Sequence, residues 1–277
     1  MNSVPQTTLT QMLAARYGAA AAGADDLNDT LATLLGHRSV RTYTDAPVPD
    51  GTLELLVAAA QSASSSSNLQ AWSVVAVTDP ARKQRLAHLV GDQKHVEDCP
   101  LFLVWIADLA RLRSLGLRRG MPHASLDHLE MFLVATIDAA LAAQNAAVAA
   151  ESLDLGVVYI GGIRDRPEEV AAELNLPPNT FGVFGMCIGY PDATRPAAVK
   201  PRLPQAAVLF REQYDATTLE TATDSYNTVM AQFYQSQGMK PKGEWDQHSL
   251  QRVRGPEAMK GRDRLVEVLN RMGFALK

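Results

Sequence analysis

The sequence predicts an α+β fold for this chain of 277 residues. Segments with the apolar pattern of β-strands are separated by helical segments, without the regular strand–helix rhythm of a doubly wound sheet. After Thr217 only helical patterns follow. The predicted strands cover residues 72–77, 101–106, 157–160 and 181–189. Because 101–106 is apolar without interruption, we expect that strand to be covered on both faces.

The predicted helices follow from apolar spacing and from residues that begin or end helices. Leucines on one face followed by Gly36 indicate a first short helix, and Asp79 followed by proline indicates the start of a third. The helix near 126–153 is small and apolar around nearly its whole circumference, which predicts burial in the core or at a subunit contact. A further helix starts with Asp165 as its cap. The predicted helices cover residues 29–35, 52–61, 80–90, 126–153, 219–235, 245–253 and 257–272.

Composition excludes several classes of protein. The 26 basic and 30 acidic residues give a net charge of −4, which disfavours a general binder of nucleic acid or anionic membranes. Cys99 and Cys187 are far apart and lack metal-ligand spacing, so neither a disulfide framework nor a metal site is expected. Residues 1–26 lack a signal-peptide pattern, and no apolar run reaches about 18 residues, the length of a membrane span. We therefore expect a cytoplasmic protein.

Two short basic segments stand out against this acidic background. His37-Arg38-Ser39-Val40-Arg41 follows the first predicted helix and offers two guanidinium groups, an imidazole and a hydroxyl. Such donors suit a dianionic phosphomonoester, although a solvated basic turn explains five residues equally well. Lys200-Pro201-Arg202 places two further cations on a segment that proline stiffens.

Three polar or glycine-containing segments could contact a flat ligand. The strand ending Tyr159-Ile160-Gly161-Gly162 lets backbone N–H groups approach a ring closely, and a turn with positive φ is the alternative. Gln93 could pair with the imide edge of a heterocycle, or simply lie in a turn after a helix. The serine-rich loop 64–70 could donate hydrogen bonds or be an ordinary connection.

Motifs of other enzyme classes are missing from the sequence. There is no GxGxxG after a strand, no phosphate-binding GxxxxGK loop, no HExxH zinc motif and no GxSxG serine-hydrolase motif. These absences disfavour Rossmann and P-loop nucleotide sites, a zinc protease and a serine hydrolase.

Taken together, the motifs resemble those of the nitroreductase superfamily, in its branch of oxygen-insensitive NADPH nitroreductases and NADPH–flavin oxidoreductases. The resemblance covers residues 30–277 and leaves 1–29 as an N-terminal extension, either folded on a partner subunit or disordered. It implies a nitroreductase-like fold with a central, mostly antiparallel sheet and an intertwined homodimer that binds FMN. The motifs, in the family's order, are residues 37–41, 64–70, 91–95, 143–146, 159–162 and 200–204.

The resemblance also implies roles for particular residues. Positions carried over to the phosphate, ribityl chain and pyrimidine of FMN are His37, Arg38, Ser39, Arg41, Lys200 and Arg202. Ser65 and Gln93 would form hydrogen bonds with the flavin ring or its ribityl chain. The backbone of Tyr159, Ile160, Gly161 and Gly162 would lie along the edge of the ring that carries N5 and O4. No residue is implied as an obligatory acid or base, because solvent can supply protons.

The implied activity is a ping-pong transfer of two electrons from NADPH or NADH to nitroaromatics, quinones and related acceptors. The alternatives are a flavin reductase that supplies reduced FMN to a partner and a flavin-binding protein without turnover. The resemblance makes the C-terminal helices, about 218–277, an excursion near the active site. Gln237 stands where this branch usually has a basic residue for the NADPH 2′-phosphate, which leaves the coenzyme preference open.

Overall fold

The computed structural model describes residues 8–18 and 27–277. These residues form one four-stranded sheet and eleven α-helices. Within them, the strands lie in the order β1-β2-β4-β3, and each neighbouring pair is antiparallel. The predicted α+β class and the antiparallel sheet are therefore confirmed. The strands are β1 (Trp72–Val77), β2 (Leu101–Asp108), β3 (Gly156–Ile160) and β4 (Thr180–Gly189).

The helices are joined by loops and 3-10 turns. Asp79 caps the helix that Pro80 begins, as its sequence predicts, by accepting a hydrogen bond from the Arg82 N–H at 2.8 Å. The helices are α1 (Leu9–Tyr17), α2 (Asp29–Gly36), α3 (Thr52–Gln61), α4 (Pro80–Leu89), α5 (Lys94–Asp98), α6 (Ala110–Arg119), α7 (Leu129–Ser152), α8 (Pro167–Glu173), α9 (Leu219–Ser236), α10 (Trp245–Arg252) and α11 (Leu265–Arg271).

The chain divides into two compact units. The first contains the described residues before 39 together with 197–259, and the second contains 39–196 together with 260–277. The sheet belongs to the second unit. Its strand β2 is buried at every position, which confirms the expected cover on both faces, and Phe102 and Trp105 have no exposed surface.

Helix α7 has two different faces. Its alanines, among them Ala139, Ala143 and Ala146, are buried in the core of the second unit, and the helix packs on α3 and β2. The opposite face carries four exposed apolar side chains, which are 44–56% exposed: Leu129, Leu133, Ile137 and Leu141. The sequence predicted that α7 is buried around its whole circumference, in the core or at a subunit contact. In the single chain only its alanine face is buried.

The same helix is long and apolar enough to cross a membrane, although polar residues interrupt its apolar runs. By length and hydropathy alone this is weak evidence, because the core helix of a globular unit has the same properties. Packing of the alanine face against the sheet identifies α7 as a core helix here.

Two predictions about helices are wrong. A single helix over 257–272 does not form, because Lys260 and Gly261 both have positive φ, of 55° and 84°. The stretch contains α11 and two short 3-10 helices, Pro256–Met259 and Arg262–Arg264. Asp165 does not cap α8, where Arg166 takes the N-cap position. Helices α1, α5 and α6 had no corresponding prediction, and α1 lies inside the predicted extension 1–29. Residues 1–7 and 19–26 of that extension lie outside the described residues.

Candidate active site

In the second unit, residues 39–41 form extended chain beside β3. Val40 is 3% exposed, and its N–H donates to the Val157 carbonyl oxygen at 2.9 Å. Ser39 pairs with Val157 in a parallel bridge. Because side chains alternate along extended chain, burial of Val40 directs Ser39 and Arg41 to the opposite face. Gly156 permits this packing, since a Cβ there would lie 2.6 Å from the Val40 side chain.

Arg41 lies near His95, a residue of a different predicted motif. Burial, and then the charge of Arg41, lower the pKa of His95. The Nε2 atom of His95 is buried and has no hydrogen-bond partner among residues 8–18 and 27–277. Tyr43 donates its hydroxyl to the Val40 carbonyl oxygen at 2.7 Å, which fixes the chain next to Arg41. The fold thus brings the end of the basic run close to the motif that contains His95.

Gln93 and Gly162 meet at the end of β3. A Cβ at Gly162 would lie 2.4 Å from the Val90 carbonyl oxygen and 2.8 Å from Nε2 of Gln93, so only glycine fits there. Nε2 of Gln93 also donates to the Val90 carbonyl oxygen at 2.7 Å. One N–H and the carbonyl oxygen of the Gln93 amide are left for another partner. Two segments singled out in the sequence are therefore neighbours.

The other glycine at this strand end has a cation beside it. The nearest atom to a Cβ built on Gly161 is Nη2 of Arg164, at 3.4 Å. The Arg164 guanidinium also donates to the Val183 carbonyl oxygen, and burial lowers its pKa. Tyr159, just before, is fixed by a hydrogen bond to Gln144 at 3.2 Å. A flat group that approached Gly161 would therefore meet both backbone and positive charge.

The predicted cap Asp165 instead forms an ion pair with Arg262. The two groups are 2.6 Å apart, and their side chains are only 11% and 17% exposed. Arg262 also contributes, after burial, to the lowered pKa of the neighbouring Arg164. The segment around Arg262 is thus attached to the end of β3 by a partly buried salt bridge.

The serine-rich loop is held by a buried carboxylate on α7. The Ser65 hydroxyl donates to Asp138 at 2.7 Å and accepts a hydrogen bond from the Gln70 N–H at 2.8 Å. The single hydroxyl proton of Ser65 is therefore engaged within the protein. Ser67 and Asn68 are exposed and have positive φ, as does Gln70, so the loop presents its polar groups in a conformation that L-residues rarely adopt.

In the first unit, the two predicted basic segments share one partner. The guanidinium of Arg16 donates to the carbonyl oxygens of His37 and Lys200, each at 3.0 Å. The side chains of Arg38 and Arg202 are exposed, and each forms only long hydrogen bonds to nearby carbonyl oxygens. Two segments that are far apart in the sequence are therefore joined through α1.

Sequence analysis missed several residues of this arrangement. Arg164 carried a signal, since it lies two residues after the glycine pair. Asp138 and Arg262 carried none, because their partners are distant in the chain. Among the predicted site residues only Ile160, which is 1% exposed, and Gly162 are buried, and Ile160 is proposed to supply backbone only.

The donor set suits a phosphorylated flavin. In the first unit, the exposed guanidinium groups of Arg38 and Arg202 suit phosphate oxygens. In the second unit, Arg41 is exposed, and the glycine pair that follows β3 gives a ring access to the backbone. The buried, unpartnered nitrogen of His95 is a further polar atom in the second unit that no protein group satisfies within the described residues.

Two family models match most of this chain. Residues 34–190 match the family model described as the Nitroreductase family, and residues 200–277 match its C-terminal domain. A protein of Salmonella typhimurium named oxygen-insensitive NADPH nitroreductase is 38% identical over 252 residues, which is 91% of this chain and 100% of that protein. A protein of Bacillus subtilis named FMN reductase (NADPH) is 40% identical over 212 residues, which is 75% of this chain and 84% of that protein.

Solved structures give the same result. NfrA2 of B. megaterium superposes with a TM-score of 0.85 at 35% identity, covering 91% of this chain and 100% of that one. The NADPH:FMN oxidoreductase of Vibrio harveyi, solved in complex with NAD+, gives a TM-score of 0.80 at 36% identity and covers 90% of this chain and 100% of that one.

Proposed function

Because the chain belongs to the nitroreductase family and is an NAD(P)H-dependent flavin oxidoreductase that uses FMN, we propose that it reduces nitroaromatics, quinones and related electron-poor acceptors by two electrons. Bound FMN would supply the two-electron chemistry, with NAD(P)H as the donor and the acceptor reduced after the coenzyme has left, in ping-pong order. The proposal treats residues 30–277 as the FMN-dependent domain and 1–29 as an extension. It includes a cytoplasmic location, where reduced nicotinamide coenzyme is available.

The observation that carries the proposal is a group of arginines that no carboxylate neutralises. Among the described residues, no carboxylate lies within salt-bridge distance of Arg38, Arg41 or Arg202. Other arginines of this acidic chain are paired, as Arg85 is with Glu173 at 2.8 Å and Arg113 with Asp127 at 2.7 Å. Unpaired guanidinium groups in these motifs favour an exogenous dianion, and the phosphate of FMN supplies one.

In the first unit, His37, Arg38, Lys200 and Arg202 bind the phosphate and ribityl chain. In the second unit, the cofactor contacts are Ser39, Arg41, Ser65, Gln93 and the backbone of Tyr159, Ile160, Gly161 and Gly162.

Particular atoms of the second unit carry the flavin contacts. Gln93 offers its free amide N–H and oxygen to the pyrimidine edge. The Ser65 hydroxyl donates its hydrogen bond to Asp138. Ser65 therefore contacts the cofactor either by accepting a hydrogen bond or through the backbone of its loop. The cation of Arg164, beside Gly161, stabilises negative charge that develops on a reduced ring. No side chain of this chain is proposed as an obligatory proton donor.

The proposal also includes a homodimer, with α7 at the contact. Leu129, Leu133, Ile137 and Leu141 recur every four residues and form one apolar stripe along the helix. Contiguous exposed apolar surface of this kind is typical of protein interfaces. A second copy of the chain is the simplest partner, because the same stripe on both subunits is self-complementary about a twofold axis.

The test is to purify the protein, record its visible spectrum and follow oxidation of NADPH and NADH with nitrofurazone, menadione and free FMN as separate acceptors. We expect a flavin spectrum and turnover with nitrofurazone and menadione. A colourless protein that FMN does not reconstitute would overturn the proposal. Turnover with free FMN alone would instead support a flavin reductase, the activity named in the Bacillus subtilis relative. A flavin spectrum without coenzyme oxidation would indicate a flavin-binding protein without turnover.

A further inference from the structure

Arg16 of α1 is the one arginine that is buried in the described part of the chain, at 8% exposed. Its Nη1 lies 3.0 Å from the Lys200 carbonyl oxygen, and its Nη2 lies 2.7 Å from that of Leu35 and 3.0 Å from that of His37. One guanidinium therefore joins the end of α2 to the segment that begins at Lys200. The match to the family model starts at residue 34, so α1 lies outside it.

We propose that Arg16 is a positioning residue that holds both basic segments of the first unit in the geometry that binds the FMN phosphate. This inference rests on the proposed function, in which Arg38 and Arg202 contact that phosphate. Arg16 itself acts on the backbone of the neighbouring residues.

The geometry of the guanidinium explains why an arginine stands here. Its donors point in fixed directions within one plane, so carbonyl oxygens bonded to it are held at fixed positions relative to one another. Residues 37–38 and 200–204 have no regular secondary structure that could fix them otherwise. A return hydrogen bond, from the Arg202 N–H to the Arg16 carbonyl oxygen at 2.8 Å, locks the second segment from the other side.

The docking of α1 is specific and does not depend on Arg16 alone. Gly18 ends the helix with φ of 75° and packs against Val229 of α9, which would lie 2.6 Å from a Cβ at that position. Met12 lies 3.7 Å from a Cβ built on Gly36. At the other end, Thr8 and Gln11 form a reciprocal capping box. The helix is thus capped at both ends and fitted against α2 and α9.

The test compares the affinities of the FMN-free protein for FMN and for riboflavin, which lacks the phosphate. The variants are Arg16→Gln, Arg16→Lys, which keeps the charge but not the fork, and Thr10→Ala on the exposed face of α1 as the matched control. Both dissociation constants are measured by flavin fluorescence. A thermal melt of each FMN-free protein shows that it is folded.

We expect Arg16→Gln to weaken FMN binding by about tenfold, the effect of losing one charge-assisted contact, with riboflavin binding changed less than about twofold. Arg16→Lys should show a smaller loss in the same direction, and Thr10→Ala none. A merely structural role would lower both affinities together, and an equal loss of FMN and riboflavin binding would therefore overturn the inference.

The same two affinities, measured for Arg202→Ala, distinguish failure of this inference from failure of the proposed function. If Arg202→Ala lowers the preference for FMN over riboflavin and both Arg16 variants leave it unchanged, Arg16 does not position the site and the proposed function stands. If the preference is unchanged in all of them, the phosphate assignment of the proposed function fails, and the role of Arg16 fails with it.

Discussion

Asp138, in the middle of α7, accepts the hydroxyl proton of Ser65 at a distance of 2.7 Å. The same carboxylate accepts the N–H groups of Ser66 and Ala71 at 3.2 and 3.1 Å, and Asp138 is 2% exposed. Both ends of the serine-rich loop are therefore held by one buried acceptor. The conformation of the loop, with its left-handed residues, depends on the core helix beneath it.

We expect Asp138→Asn to destabilise the protein by about 1–3 kcal/mol, because the amide places an N–H₂ group against hydrogen-bond donors. The measurement is urea unfolding of the FMN-free protein. Glu130→Gln, on the exposed first turn of the same helix, is the matched control and should have a far smaller effect. Equal free energies of unfolding for Asp138→Asn and the wild type would show that the loop is held by other contacts.

Arg41→Ala and Arg202→Ala should each weaken FMN binding by about 1.5–3 kcal/mol, the range for hydrogen bonds to charged groups. Both side chains are exposed and lack a carboxylate partner among the described residues, so their removal leaves no protein group unpaired. Arg195→Ala is the control, since Arg195 is paired with Asp192 at 2.9 Å. Unchanged affinity in both test variants would refute the phosphate assignment.

Gln237→Arg should lower the KM for NADPH by about two- to fivefold, the effect of one exposed ion pair with the 2′-phosphate, and leave the KM for NADH unchanged. Gln237 is exposed at the end of α9, and its side chain forms a single hydrogen bond among the described residues, of 3.3 Å to the Ser236 hydroxyl. Gln235→Arg, two residues earlier and also exposed, is the control. An equal decrease in the KM for NADPH and the KM for NADH would mean that Gln237 does not face the 2′-phosphate.

The stability of the protein should depend on His95 below neutral pH. Burial and Arg41 lower the pKa of His95 in the folded state, so the unfolded chain binds a proton there more readily. Stability is therefore lost as the pH falls below about 6.5, the usual pKa of histidine. His95→Asn should lose less stability than the wild type between about pH 7 and pH 5. His248→Asn, at an exposed position of α10, is the control, and identical pH profiles for His95→Asn and the wild type would contradict this account.

Ile137→Asp should convert the proposed dimer to a monomer, because it places a charge at the centre of the apolar stripe of α7, where Ile137 is 56% exposed in the single chain. Light scattering after size-exclusion chromatography measures the mass. Val253→Asp changes another apolar residue, 73% exposed and outside α7, and should leave the mass unchanged. A wild-type protein that is itself monomeric would show that the stripe is not a self-association surface.

Local patterns predicted the sheet well. The bounds of β1 were predicted from a valine-rich run. The uninterrupted apolar residues 101–106 predicted β2, which extends to Asp108. Both predictions succeeded because strand patterns depend on which residues are buried. The predicted helix over 257–272 failed because apolar spacing does not reveal the positive φ of Lys260. Helix α6 was missed, since its arginines and leucines lack a clear buried face.

The candidate site was predictable only in part, for a similar reason. Clustered cations and paired glycines are visible within a few residues of sequence. They therefore allowed the basic run at 37–41 and the glycine pair at the end of β3 to be predicted as parts of the site. Asp138 and Arg16 act on groups far away in the chain, and nothing in their own neighbourhood shows the contact. Prediction from one sequence therefore found groups that could face a ligand and missed those that hold them in place.

The most direct test of the central claim is an anaerobic titration of the purified, FMN-containing protein with NADPH, followed by addition of nitrofurazone. We predict that NADPH bleaches the visible flavin absorption, that the colour stays bleached after the coenzyme is removed, and that nitrofurazone then restores it. Flavin absorption that NADPH leaves unchanged, or that nitrofurazone does not restore, would contradict the assignment of this chain as an NADPH-dependent reductase of electron-poor acceptors.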